Sequence, residues 1–186
     1  MSEQFWWYIA RSGGIVALGL SGASVIYGLL LSSKVMQGRP KPRWLLDLHK
    51  WLGGSAVAFT IIHVVALMLD SYIGFGLLDV LIPGVADWNP GAVAWGVVSG
   101  WLLLAVHITS IFMKRLPKRL WKGIHLTSYG VLFSGIIHGA VAGTDAGNPI
   151  YILGIAVMTL LTVFLTGYRI LTARTARQRL QPALSS

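Results

Sequence analysis

Five stretches of this chain each run for about twenty residues or more without a charged side chain, which is the length a helix needs to cross a bilayer. They cover residues 12–33, 51–69, 88–113, 123–144 and 146–168. Only helices and closed barrels satisfy all their backbone hydrogen bonds inside lipid. The sequence therefore predicts an all-α integral membrane bundle of five transmembrane helices, at about residues 7–31, 48–69, 92–112, 120–141 and 149–171.

The composition fits a protein embedded in membrane lipid. Of the 186 residues, 55% are hydrophobic and 11% are charged, which is far from the balance of a soluble domain. Short polar joints link the apolar segments, so we expect a single transmembrane domain over residues 1–186. The chain contains no cysteine, which excludes disulfides, cysteine-ligated iron–sulfur clusters and the thioether attachment of a c-type haem.

The basic residues predict the orientation of the helices. All of the 15 Lys and Arg residues except Arg11 fall on one side of the predicted membrane. They are Lys34, Arg39, Lys41, Arg43, Lys50, Lys114, Arg115, Lys118, Arg119, Lys122, Arg169, Arg174, Arg177 and Arg179. Glu3, Asp70, Asp79, Asp87 and Asp145 fall on the other side. Positive charge favours the cytoplasmic loops, so we expect the N-terminus outside and the C-terminus inside. The formal charge of +9 then reflects topology and does not indicate a nucleic acid partner.

Four histidines occupy two depths of the predicted bundle. His49 and His63 are fourteen positions apart on the second helix, and His125 and His138 are thirteen apart on the fourth. At 1.5 Å per residue these spacings correspond to about 21 and 20 Å along the helix axes. Both helices run from inside to outside, so His49 is predicted to face His125 and His63 to face His138.

Two opposed imidazoles at each depth supply the axial ligands of a six-coordinate, electron-carrying haem iron. We therefore predict two b-type haems. A zinc-type site is disfavoured because each depth offers only two histidines and no acidic partner. The remaining alternatives are a single haem, or histidines that only hydrogen-bond between helices.

The fourth helix poses a geometric problem. Thirteen positions leave an angular offset of about 140° between His125 and His138 on an ideal helix. We therefore expect tilt, or a local π-type or glycine-linked distortion around Ser128–Gly135, to bring both rings toward their partners.

The segments that carry the histidines resemble the ferric reductase-like transmembrane family, which includes the membrane portions of NADPH oxidases, iron reductases and the haem subunit of the bacterial methionine sulfoxide reductase system. The resemblance rests on LHKWLGGSAVAFTIIHV at Leu48–Val64 and WKGIHLTSYGVLFSGIIHG at Trp121–Gly139, with the spacings that NADPH oxidases use for their two haems. It implies that His49 and His125 hold an inner haem and that His63 and His138 hold an outer one. The family usually has six transmembrane helices, whereas five are predicted here.

The resemblance implies transmembrane electron transfer from a cytoplasmic donor to an extracytoplasmic acceptor such as ferric iron, oxygen or a partner protein. Only fifteen residues follow Leu171, so we expect no flavin or nicotinamide domain and a separate donor, either a flavoprotein reductase or quinol. The chain is then an oxidoreductase or an electron-transfer subunit, in a bacterial cytoplasmic membrane. A quinol-linked haem subunit, a haem transport or sensing module, and a metal or proton carrier without haem are the alternatives.

Several other residues have two interpretations. Arg11 either binds a carboxylate of the outer haem or extends to the headgroups. His107 is either structural or a hydrogen-bond or proton-relay partner of the inner haem. The outer segment Tyr72–Pro83 either lies along the membrane surface or roofs a buried cofactor. The tryptophans near predicted helix ends are interpreted as membrane anchors: Trp6, Trp7, Trp44, Trp51, Trp88 and Trp121.

Overall fold

The structure is a computed structural model that describes residues 4–33 and 43–180, with side chains described as far as residue 173. It contains seven helices and no strand within those ranges: α1 (Gln4–Ser32), α2 (Arg43–Leu69), α3 (Leu77–Leu81), α4 (Pro90–Ile111), α5 (Lys118–Leu126), α6 (Ser128–Val141) and α7 (Pro149–Leu180). Of the charged residues discussed above, Glu3, Lys34, Arg39 and Lys41 lie outside the described residues, as do the side chains of Arg174, Arg177 and Arg179.

Five segments are long and apolar enough to cross a membrane, which confirms the predicted all-α bundle. They are α1, α2, α4, the α5–α6 unit at Lys118–Val141, and Pro149–Ala173 of α7. The chain is a multi-pass membrane protein. The largest differences from the predicted bounds are in α2, which begins five residues earlier, and in α7, which continues to Leu180.

The outer surfaces of the helices are apolar, as lipid requires. Leu160 and Phe164 of α7 are each 68% exposed, and Ile61 of α2 is 53% exposed. Hydroxyl side chains bond back to the carbonyl one turn earlier, as Thr60 does to the Ala56 oxygen at 2.8 Å. These hydroxyl groups therefore find acceptors within their own helix without water.

Small residues bring α1 and α2 close together. Ala10, Gly13 and Ala17 of α1 are buried, as are Ala56 and Ala66 of α2. Small side chains let two helix backbones approach in a membrane, where van der Waals packing replaces the hydrophobic effect between helices.

The fourth spanning segment is two helices joined at Thr127, not the single helix that was predicted. The Thr127 backbone N–H donates to the Ile124 oxygen at 3.0 Å, and its hydroxyl donates to the same oxygen at 2.6 Å. This three-residue bond overwinds the chain relative to an α-helix and turns His138 in the direction that reduces the offset from His125. A distortion is present, but it is a 3₁₀-type turn at Thr127 and not the π-type or glycine-linked distortion expected around Ser128–Gly135, which lies within the continuous helix α6.

The outer segment between α2 and α4 folds over the end of the bundle. Phe75 and Ala86 pack with Val93 and Val97 of α4 in one buried cluster. The indole N–H of Trp101 donates to the Leu81 oxygen at 2.8 Å and ties α3 to α4. These contacts support the interpretation that the segment covers a buried site at the end of the bundle, and not that it lies along the membrane surface.

An ion pair ties α1 to the turn between α6 and α7. Arg11 Nε donates to Asp145 Oδ2 at 2.6 Å, and Arg11 Nη2 contacts Asp145 Oδ1. The guanidinium also lies over the Trp7 ring, 5.0 Å from its centroid. The hydrogen bonds from Arg11 lower the pKa of Asp145 below its usual value.

We expect Asp145→Asn to lower the thermal unfolding midpoint of the detergent-solubilised protein. The stabilisation from a carboxylate with a lowered pKa is complete above its ordinary pKa of about 4 and is lost as the pH falls through the lowered value. The unaltered protein should therefore have a higher Tm than the variant at about pH 7, and this difference should disappear in acid. Scanning fluorimetry across this range measures it.

Asp87→Asn is the matched control for this experiment because Asp87 is an exposed outer carboxylate. It should leave Tm unchanged. A Tm difference for Asp145→Asn that persists unchanged into acid would contradict the role given to the ion pair.

Candidate cofactor site

The structure brings the four predicted histidines together as two facing pairs. The ring centroids of His49 and His125 are 6.1 Å apart, and the ring planes make an angle of 65°. Those of His63 and His138 are 6.2 Å apart, with an angle of 76°. Each pair joins α2 to the α5–α6 unit, one pair near each end of the bundle. We call His49 with His125 the inner pair and His63 with His138 the outer pair, after the orientation predicted from the basic residues.

The Nδ1 atom of each outer histidine contacts a backbone carbonyl on a third helix. The distances are 2.6 Å from His63 Nδ1 to the Ala10 oxygen and 2.8 Å from His138 Nδ1 to the Ala92 oxygen. A carbonyl only accepts hydrogen bonds, so Nδ1 carries the proton and Nε2 keeps its lone pair. Both outer rings are thereby held in the tautomer that binds a metal through Nε2.

The inner histidines use serine hydroxyls instead of carbonyls. Ser24 Oγ lies 3.4 Å from His49 Nδ1, and Ser110 Oγ lies 3.4 Å from His125 Nδ1. Each hydroxyl can accept a hydrogen bond from Nδ1. The inner rings therefore also have a partner at Nδ1, at the longer distance of a weaker bond.

Three of the four rings pack against glycine. The pairs are His63 with Gly14, His49 with Gly28 and His138 with Gly96. A Cβ atom at these glycines would lie 3.0, 3.1 and 2.8 Å from the nearest ring atom, so a larger residue would push the ring aside. The contacts on α1 repeat every fourteen residues, at Ala10 and Gly14 and again at Ser24 and Gly28, which matches the spacing of the histidines on α2.

A cavity of about 480 Å³ surrounds the outer pair. Its wall is mainly apolar, with His63, His138 and Arg11 among the polar residues, and Phe75 and Trp88 of the outer segment contribute to it. Cofactor sites commonly have this size and combine an apolar lining with a few placed polar groups. Trp88, interpreted as a membrane anchor, also lines the cavity.

The donor set at each depth suits a group that brings most of its own metal ligands. In the described parts of the chain, no cluster of three or more His, Cys, Asp or Glu side chains is placed to hold a bare metal ion. Two opposed imidazoles match the axial positions of an iron porphyrin. The apolar cavity fits a planar macrocycle better than a hydrated ion.

Arg11 lines the outer cavity but already has a protein partner. A haem carboxylate or the lipid headgroups were the expected partners of Arg11, and its ion pair with Asp145 was missed. The available signal was that both residues carry charge at the predicted outer ends of apolar runs. Without a fold, nothing linked two residues 134 positions apart.

Trp121, interpreted as a membrane anchor, also contacts a candidate ligand. Its ring stacks on His125, with centroids 5.1 Å apart and an angle of 28° between the planes. Its Nε1 atom is buried without a hydrogen-bond partner in the described part of the chain, as is the hydroxyl of Tyr27, the neighbour of Gly28. The spacing of four residues on one helix was the signal that could have identified the contact with His125.

His107 belongs to neither pair. Its ring lies beside Gly54 of α2, where a Cβ atom would be 3.6 Å from Cε1. This contact supports the structural interpretation of His107, as a residue packed between α2 and α4.

Comparison with known proteins supplies the family. The profile described as "Ferric reductase like transmembrane component" matches residues 13–136, about two thirds of the chain. The match includes His49, His63 and His125 and ends two residues before His138. No curated protein and no solved structure matches the chain. With a family match over most of its length and five spanning helices, the chain belongs to the ferric reductase-like transmembrane family.

Proposed function

We propose that this protein carries electrons across the membrane through two b-type haems, one held by His49 and His125 and the other by His63 and His138. Membership of the ferric reductase-like transmembrane family supports electron transfer across the bilayer as the general activity. The number of haems, the ligand assignment and the direction of transfer are our proposal.

The spacing of the facing rings is the observation that carries it. Imidazole nitrogens bind transition metals at about 2 Å. Two imidazoles that bind one metal from opposite sides therefore have ring centroids roughly 6 Å apart. The centroid distances of 6.1 and 6.2 Å match this value at both depths.

Each haem would be held by one pair of facing histidines and would supply a one-electron carrier. The remaining work belongs to the chain. The carbonyls of Ala10 and Ala92 hold the outer rings with Nε2 unprotonated, and the hydroxyls of Ser24 and Ser110 can accept a hydrogen bond from Nδ1 of the inner rings. The apolar cavity wall excludes water from the outer pair.

The inner pair is proposed to face the cytoplasm. Described basic residues gather at the helix ends nearest to it, in agreement with the positive-inside rule: Arg43, Lys50, Lys114, Arg115, Lys118, Arg119 and Lys122. This puts the N-terminus outside a bacterial cytoplasmic membrane. The donor is then a cytoplasmic flavoprotein reductase or quinol, and the acceptor is ferric iron, oxygen or a protein on the outer side.

Arg11 is proposed to contact the outer haem while it stays paired with Asp145. Asp145 occupies Nε and Nη2 of the guanidinium. Arginine has five N–H donors, so Nη1 is left for a carboxylate of the haem. Arg11 lines the same cavity as His63 and His138, which supports this assignment.

The ligand assignment predicts the haem content of histidine variants. The purified protein should contain about two haems per chain, with low-spin spectra of bis-histidine ligation. His63→Ala or His138→Ala should remove one of them, and His49→Ala or His125→Ala the other. His107→Ala is the matched control and should keep both, because His107 joins neither pair.

Pigment extraction and redox titration measure these outcomes. A colourless protein, or one that keeps both haems after His63 is replaced, would refute the assignment. A high-spin haem that exchanges with an acceptor protein would instead indicate haem transport or sensing.

The packing of His138 against Gly96 gives a finer test of the outer site. A methyl group at Gly96 would lie 2.8 Å from the ring, so Gly96→Ala must displace His138 and weaken its bond to the Ala92 oxygen. We expect a shifted or lost low-spin signal for one haem in electron paramagnetic resonance, with the other unchanged. Gly91→Ala on the same helix adds its methyl group in open space and is the control. Equal spectra for both variants would count against the outer site.

A further inference from the structure

Trp121 contributes two features to the inner site. Its indole ring stacks on His125 four residues later on α5, with centroids 5.1 Å apart. Its Nε1 atom is buried and has no acceptor among the described residues. An indole nitrogen is a donor only, so water or a protein oxygen normally receives its proton.

Another tryptophan of this chain follows the usual rule. Trp101 Nε1 donates to the Leu81 oxygen at 2.8 Å, although half of that residue is exposed. A buried donor without an acceptor costs more than an exposed one. The unmatched N–H of Trp121 therefore indicates an acceptor that is absent from the described chain and lies beside the inner pair.

The nearby protein carboxylate has another partner. Asp47, two residues before His49, accepts a hydrogen bond from Lys50 at 3.0 Å on the exposed side of α2. Haem b, in contrast, carries two carboxylates on its rim. Such a group, held between His49 and His125, would carry an acceptor of the kind that Trp121 Nε1 lacks.

We propose that the indole N–H of Trp121 donates a hydrogen bond to a carboxylate of the group held by His49 and His125. This inference rests on the proposed function. Trp121 is thereby a positioning residue with two roles. Its ring face orients His125, and its N–H holds a carboxylate on the rim of the bound group. Charge-assisted hydrogen bonds of this kind are stronger than neutral ones.

The hydrogen bond has an electrostatic consequence for the inner site only. Withdrawing negative charge from a carboxylate near the iron favours the reduced state, which carries one more electron. Trp121→Phe keeps an aromatic ring against His125 but removes the donor. The midpoint potential of the inner haem should therefore fall, while that of the outer haem stays the same.

Redox titration of the full-length haem-loaded protein tests this. The inner component is identified as the one lost in His125→Ala. In Trp121→Phe we expect both haems to be retained, a lower midpoint for the inner component and no change in the outer one. Trp95→Phe is the control because Trp95 of α4 makes an edge-to-face contact with Phe133, with centroids 6.0 Å apart, and no ring contact joins it to a histidine of the pairs among the described residues. It should change neither midpoint.

Site-specific replacement of Trp121 by benzothienylalanine serves if the phenylalanine variant does not fold. This analogue keeps the bicyclic shape and exchanges the ring N–H for sulfur. It should lower the same midpoint. An unchanged inner midpoint in both variants, or equal shifts at both haems, would overturn the role of Trp121 and leave the haem assignment standing. An unaltered protein without haem would overturn the proposed function itself.

Discussion

The hydrogen bonds at Nδ1 of the four histidines determine how the bundle is arranged. An imidazole in lipid has two nitrogens to satisfy, and a ring that binds a metal through Nε2 must find an acceptor for the Nδ1 proton. The ligand-bearing helices do not provide one. Acceptors come from α1 for the histidines of α2 and from α4 for those of the α5–α6 unit. Four spanning segments are therefore needed to hold two pairs.

Close approach of the helices follows from this requirement. A carbonyl oxygen reaches a neighbouring imidazole only where the backbones lie near each other, and glycine allows this at Gly14, Gly28 and Gly96. The fifth spanning helix, α7, supports the others from outside: Met158 fills the space above Gly22, and the hydroxyls of Tyr129 and Thr166 are 3.1 Å apart. The same small residues that pack the membrane helices also orient the candidate ligands.

Sequence patterns predicted the elements that have a strong local cause. Runs without charge predicted the spanning helices because lipid excludes unpaired charge, and the spacing of His49 and His63 predicted matching depths because helical rise is regular. One contact between distant segments and the position of the helix distortion were missed. The ion pair of Arg11 with Asp145 depends on how α1 meets the α6–α7 turn, and the overwound turn at Thr127 depends on a single backbone hydrogen bond. Neither leaves a periodic signal.

The two histidine pairs are held by different chemistry, which makes the two depths electronically unequal. A helix carbonyl is fixed and only accepts, at 2.6 and 2.8 Å for the outer pair, whereas the serine hydroxyls of the inner pair rotate and lie at 3.4 Å. Stronger acceptors at Nδ1 make the outer imidazoles more basic, which would favour oxidised iron in the haem proposed for that site. The positive charge of Arg11 opposes this effect at the outer site, and Asp145 offsets that charge. Under the proposed function, residues that bind no iron therefore set the driving force between the two sites.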